Sequence, residues 1–96
     1  MADYRLSPQA QRDLDELFDH TVAKWGLTQA LRYAEQIEAA LEKLADAPLR
    51  AQACDHIRHG YRRRPVQQHV ISFRMTSYGI AVIRILHQRM EAARHM

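Results

Sequence analysis

The sequence predicts an α+β domain of order β-α-α-β-β-β with a short C-terminal helical tail, its antiparallel-rich sheet covered on one face by a helical hairpin. Three observations lead there. Apolar residues recur at spacings of three and four through residues 8–47, and the period changes to two after Gly60. The helical stretch is interrupted once, at Gly26-Leu27, a connection short enough to make its two halves antiparallel neighbours. With 96 residues, 47% hydrophobic and 26% charged, the chain is a single globular domain spanning 1–96.

Asp3 to Leu6 alternates, Tyr4 and Leu6 pointing one way and Asp3 and Arg5 the other, as in a short strand. Ser7-Pro8 opens a helix, the serine as cap and the proline at the first helical position, where its missing N–H has no partner to lose. Ala10, Leu14, Leu17, Phe18, Val22 and Trp25 then form one buried face. Asp13, Asp15, Glu16 and Asp19 crowd the first half, where negative charge complements the helix dipole, and Gly26 ends the helix 8–25. Thr28 is expected to cap the second helix, 28–47, in which Ala34, Ile37, Leu41 and Leu44 make the seam of the hairpin. Trp25 and Leu27 are expected to plug its tip.

Pro48 stops the second helix, and 48–60 reads as a loop with one helical turn. Tyr61 to Val66 is a short strand that Pro65 confines to an edge or ends early. His69 to Met75 sets Ile71, Phe73 and Met75 on one face and Val70, Ser72 and Arg74 on the other. After a turn at Thr76–Gly79, Ile80 to His87 is nearly all apolar and β-branched, suiting a central strand covered on much of both faces. A last helical turn is expected from Met90 onward.

The opening MADYRLSPQAQRDLDE lacks an apolar signal core, and no apolar run nears the ~20 residues that span a bilayer. A cytoplasmic protein is expected, and the lone Cys54 suits that reducing compartment. The net charge of +3 conceals a split: residues 1–55 hold six basic and ten acidic side chains (−4), residues 56–96 eight arginines and Glu91 alone (+7). Such asymmetry marks a surface for an anionic partner, against the plainer alternative of a basic solvated face.

Several stretches, YRLSPQAQRDLDEL, WGLTQALRYAEQIEAALEKLADAP, CDHIRHGYRRRPVQQHVISFRM and VIRILHQRMEAARH, follow one another over essentially the whole chain. In that order they resemble the ParE-type toxins of the RelE/ParE superfamily, the toxic halves of bacterial type II toxin–antitoxin pairs. The IR-x-GYRR element combined with the closing RILHQRM gives the resemblance its specificity. It implies a RelE/ParE-like fold, DNA gyrase as the inhibited target, and a ParD-like antitoxin with an acidic amphipathic C-terminal segment. A toxin–antitoxin hetero-oligomer follows, with no membrane, no sequence-specific nucleic-acid contact and no cofactor.

The superfamily's other branch, the ribosome-dependent mRNA endoribonucleases of the RelE type, supplies the alternative. Cutting RNA needs a base for the 2′-hydroxyl, an acid for the leaving oxygen and cations for the phosphorane. His87, Arg64 and Arg84 are the candidates for such a group, but no Lys follows Lys43 and no acidic residue lies in the sheet. His87 is therefore expected to end its strand and hydrogen-bond a loop carbonyl or a Tyr hydroxyl, leaving no catalytic residue. The cluster Cys54-Asp55-His56-x-x-His59 offers three metal-like ligands from one loop without a fourth, so no metal site is expected.

The antitoxin's carboxylates are expected on Arg58, Arg62, Arg63, Arg64, Arg74 and Arg84, since arginine pairs bidentately with carboxylates. Single-strand binding is disfavoured because no stacking aromatics interleave with Arg62, Arg63 and Arg64. The target is expected at Arg89, Met90, Arg94 and His95, on a tail displayed beside a fixed strand.

Overall fold

The computed structural model describes residues 3–50, 52, 53 and 60–90. The elements are β1 (Asp3–Leu6), α1 (Pro8–Trp25), α2 (Leu27–Asp46), a 3₁₀ turn at Pro48–Arg50, β2 (Gln52–Ala53), β3 (Tyr61–Val66), β4 (His69–Met75) and β5 (Gly79–His87). They form one five-stranded sheet in the order β1-β5-β4-β3-β2. β1 runs parallel to β5, and every other pair is antiparallel.

The two helices start and stop for different reasons. Ser7 Oγ accepts from the Ala10 N–H at 3.0 Å and donates to the Ile83 carbonyl at 2.8 Å, so the cap also ties α1 to β5. Gly26, at φ 92, ends α1 and caps α2 at once, in a backbone region that side chains disfavour. Thr28 therefore lies inside the first turn of α2 and does not cap it. Trp25 and Leu27 are 66% and 58% exposed, so they do not plug the hairpin tip. Helical spacing puts Trp25 on the buried stripe, but its side chain lines an open cleft.

The core lies between the hairpin and one face of the sheet, built from Ala10, Leu17, Ile37, Leu41 and Leu44 against Ile71, Phe73, Ile80, Val82 and Ile85. Phe73 is fully buried, whereas Met75 is 45% exposed at the strand end. A bulge opposite Ser72/Phe73 gives β5 one extra residue, because Ser72 pairs with Arg84 and Phe73 with Val82. Alternation resumes out of phase beyond it. Ile80 and Val82, then Ile85 and His87, consequently share the helix side.

β1 ends opposite Val82, which leaves the second half of β5 without a strand neighbour on that edge. The start of α1 takes the strand's place. The Ser7 N–H donates to Val82 O at 2.9 Å, and Asp13 accepts the Ile85 N–H at 3.0 Å. Asp13 also binds Arg84 twice, at 2.8 and 3.0 Å, and the pairing raises the Arg84 pKa. Edge amides that would otherwise lie unpaired are thereby satisfied. Within 48–60 the helical turn is present as expected, while the two-residue β2, paired with Arg62 and Arg63, has no signal in the linear sequence.

Candidate functional site: a histidine cleft beside a basic sheet

Sheet register distributes the arginines. On β3, Arg62 pairs with Phe73, Arg64 with Ile71 and Val66 with His69, so these three share the helix side of the sheet. Tyr61 and Arg63 lie on the opposite, uncovered side, paired with Arg74 and Ser72. Arg74 in turn pairs with Ala81, and Ala81 with Arg5. The Arg5 guanidinium stacks on the Tyr78 ring at 4.2 Å. The row Tyr61, Arg74, Ala81 and Arg5, with Tyr78 stacked on Arg5, thus sets aromatics beside arginines outside the run 62–64. Tyr61 meets this row through strand pairing with Arg74, and Tyr78, seventeen positions later, through its contact with Arg5.

Arg64 and Arg74 are exposed, and Arg63 keeps a buried Nε without a hydrogen-bond partner among the described residues. Arg84 differs from the others: its guanidinium is held by Asp13 of its own chain. A carboxylate is thus already in place where one from a partner was expected. Arg58, Arg94, His95 and the Cys54–His59 cluster lie outside the described residues. Among the described residues, no group of three potential metal ligands occurs.

On the helix side, a cleft of about 490 Å3 opens between α1, α2 and the ends of β4 and β5. His87 lines it, but Arg64 and Arg84 do not, so the three candidates for RNA cleavage do not converge there. The cleft centres on residues that the linear sequence does not single out. His69 pairs across the sheet with His87, their rings 5.4 Å apart and edge-on. Tyr33 of α2 places its hydroxyl 2.6 Å from His69 Nδ1 and donates to Val66 O at 3.1 Å. The tyrosine contact expected for His87 thus belongs to His69, while His87 Nδ1 accepts the Arg89 N–H at 3.2 Å. No local signal marks His69, because its partners come from α2 and β5.

Burial, then the neighbouring His87 and His20, lowers the His69 pKa to about 4. Burial raises the Tyr33 pKa, opposed by the Gln68 backbone N–H. The pair is therefore neutral at pH 7, a hydrogen-bonded Tyr–His contact without a carboxylate to drive proton transfer. Arg89 and Met90 follow His87 as an exposed helical start, Met90 on the cleft rim.

Comparison with known proteins agrees with this architecture. The model of the ParE toxin of the type II toxin–antitoxin system parDE matches residues 4–92. The chain belongs to the ParE toxin family. Toxin ParE1 of Mycobacterium tuberculosis (strain CDC 1551 / Oshkosh) is 42% identical over 94 residues, covering 97% of this chain and 96% of that protein. Toxin ParE1 of Caulobacter vibrioides is 38% identical over 96 residues, covering 100% and 99%. A solved structure of the chromosomal ParDE system from P. aeruginosa superposes with TM-score 0.77 at 22% identity, over 91% of this chain and 96% of that one. At that identity the likeness speaks for the fold, and the α+β hairpin-on-sheet architecture is that of a ParE toxin.

Proposed function

We propose that this ParE-family toxin inhibits DNA gyrase as a protein, without catalysis, and that a ParD-like antitoxin neutralises it in the cytoplasm. The observation that carries the antitoxin half is the sheet's charge: no Asp or Glu occurs from His56 to Met90, so β3, β4 and β5 contribute arginines and no carboxylate of their own. Arg62, Arg63, Arg64 and Arg74 are the residues assigned to the antitoxin, with Arg58 continuing the run. Arg84 is left out because Asp13 occupies it. Arginine and tyrosine on one row have the composition that anchors protein interfaces.

The target half follows from kinship with the ParE toxins. Arg89 and Met90 leave the end of β5 exposed, and Arg94 and His95 follow in sequence, so this tail is assigned to gyrase. Against the nuclease alternative stand the separation of His87, Arg64 and Arg84 and the absence of a carboxylate hydrogen-bonded to any cleft imidazole among the described residues. Among the described residues, no helix is long and apolar enough to cross a membrane.

A supercoiling assay tests the proposal. Purified chain added to gyrase, relaxed plasmid and ATP should block supercoiling, and equimolar antitoxin should restore it. Removal of Ala92–Met96 should leave a folded, antitoxin-binding protein that inhibits gyrase poorly. Unimpaired supercoiling at a large molar excess of toxin refutes the gyrase reading, and inhibition that antitoxin does not relieve refutes the antitoxin reading.

A further inference from the structure

Three imidazoles from three elements, His20 of α1, His69 of β4 and His87 of β5, line the same cleft. The other ionisable groups facing them are Asp13, Glu16 and Lys24 on α1 and Tyr33 on α2; the β3–β4 turn contributes only the amides of Gln67 and Gln68. Asp13 is committed on both oxygens to Arg84 and the Ile85 amide. That leaves Glu16 as the one uncommitted carboxylate among the described lining residues, facing a lysine and three histidines. It makes no hydrogen bond to any of the three rings among the described residues. None of the three rings is hydrogen-bonded to a carboxylate among the described residues.

Its proton inventory follows from the hydrogen bonds. Tyr33 has one hydroxyl proton, and Val66 O can only accept it, so the 2.6 Å contact is donated by His69 Nδ1–H. His69 Nε2 is then a free base. His87 Nδ1 accepts from the Arg89 N–H, which leaves Nε2–H as the ring's donor. A carboxylate arriving in the cleft meets one donor already in place and one base that becomes a second donor on taking a proton from solvent. The added charges, −1 on the ligand and +1 on His69, cancel.

The approach is equally defined. Arg62, Arg64 and Val66 face the helix side of β3, and Val66 pairs with His69, so this row leads into the cleft. Trp25 and Met90 on the rim, the latter 55% exposed, offer apolar contact to residues flanking the carboxylate.

We infer that the cleft receives a carboxylate side chain from the antitoxin's acidic segment and that His69 takes up a proton as it docks. The inference rests on the antitoxin reading above. It makes toxin neutralisation proton-linked: complementary charge is created in the cleft by binding, so acidification tightens the complex.

Calorimetry of the full chain with purified antitoxin, run at pH 7.0 in phosphate and in Tris, measures it. The difference in observed heat between buffers should report uptake of roughly half to one proton, and affinity should rise about three- to tenfold for each pH unit lowered between 7.5 and 6.5. His69→Gln should abolish the uptake while binding through the arginines persists, and His87→Gln, which keeps the Tyr33 contact, should reduce it. Binding with no proton exchange, or uptake that survives His69→Gln, overturns the inference. No binding in either buffer overturns the antitoxin reading itself.

Discussion

Asp13 engages two partners on β5 at once, and its loss exposes both. Asp13→Ala strips the Ile85 N–H of its acceptor and leaves the Arg84 guanidinium, whose side chain is 27% exposed, without its partner. A cost of ~2–3 kcal/mol is expected, within the range for breaking partly buried, charge-assisted contacts. Asp13→Asn, which retains an acceptor for Ile85, should cost less, and urea denaturation curves distinguish the two. His69 sets the acid response. Its folded pKa of about 4 lies below the unfolded 6.5, so the unfolded chain binds the proton first. The contribution is intact above pH 6.5 and is lost as pH falls toward 4. For a half-buried ring open to solvent, ~1–2 kcal/mol should disappear over that window. Melting curves of the isolated toxin at pH 7 and 5 should show the loss, and His69→Gln should flatten it; an equal drop in the variant assigns the acid response elsewhere.

At the scale of elements, β5 organises the fold: β1 and β4 flank it, the bulge turns Ile85 and His87 toward the helices, and α1 seals its free edge. Gly79 starts it at φ 143, and a Cβ there would collide with the Asp3 backbone. Gly79→Ala should therefore separate β1 from β5 and lower stability by ~3 kcal/mol or more, measured by denaturation and by faster amide exchange at Asp3 and Ser7, whose N–H groups donate to Tyr78 O and Val82 O. The hairpin and the central strand are legible in the sequence because their signals are local: Ser7-Pro8, the steps of three and four, and the β-branched run at 80–87. The bulge at Ile83, the two-residue β2 and the His69–His87 pairing are not, because they depend on register between strands distant in sequence. Trp25 shows the same limit from the other side. Periodicity places it on a face but does not say whether anything is there to cover it.

For the whole molecule, the separation of −4 in residues 1–55 from +7 in residues 56–96 maps onto architecture, the acidic part in β1 and the hairpin and the basic part in β3–β5. Antitoxin association should therefore weaken as ionic strength rises. Within the basic part, contributions should be unequal. Arg63, whose buried Nε has no hydrogen-bond partner among the described residues, should cost ~2–4 kcal/mol of antitoxin binding when changed to Ala, whereas exposed Arg64 and Arg74 should each cost under ~1 kcal/mol. Equal losses at all three positions would place the antitoxin's centre elsewhere. The charge asymmetry and the chain-length resemblance to ParE toxins are both legible in the order of residues along the chain. Arg84's internal partner and the tyrosines beside arginine are not, because the packing of α1 against β5 and contacts between residues distant in sequence create them.

The central claim, a gyrase-directed toxin that is not a nuclease, is tested most directly by following gyrase-dependent plasmid cleavage and mRNA integrity on translating ribosomes with the same toxin preparation. The account predicts linear, gyrase-cleaved plasmid accumulating with toxin and disappearing on addition of antitoxin, while ribosome-bound mRNA stays intact. Cleaved mRNA with gyrase unaffected would contradict it.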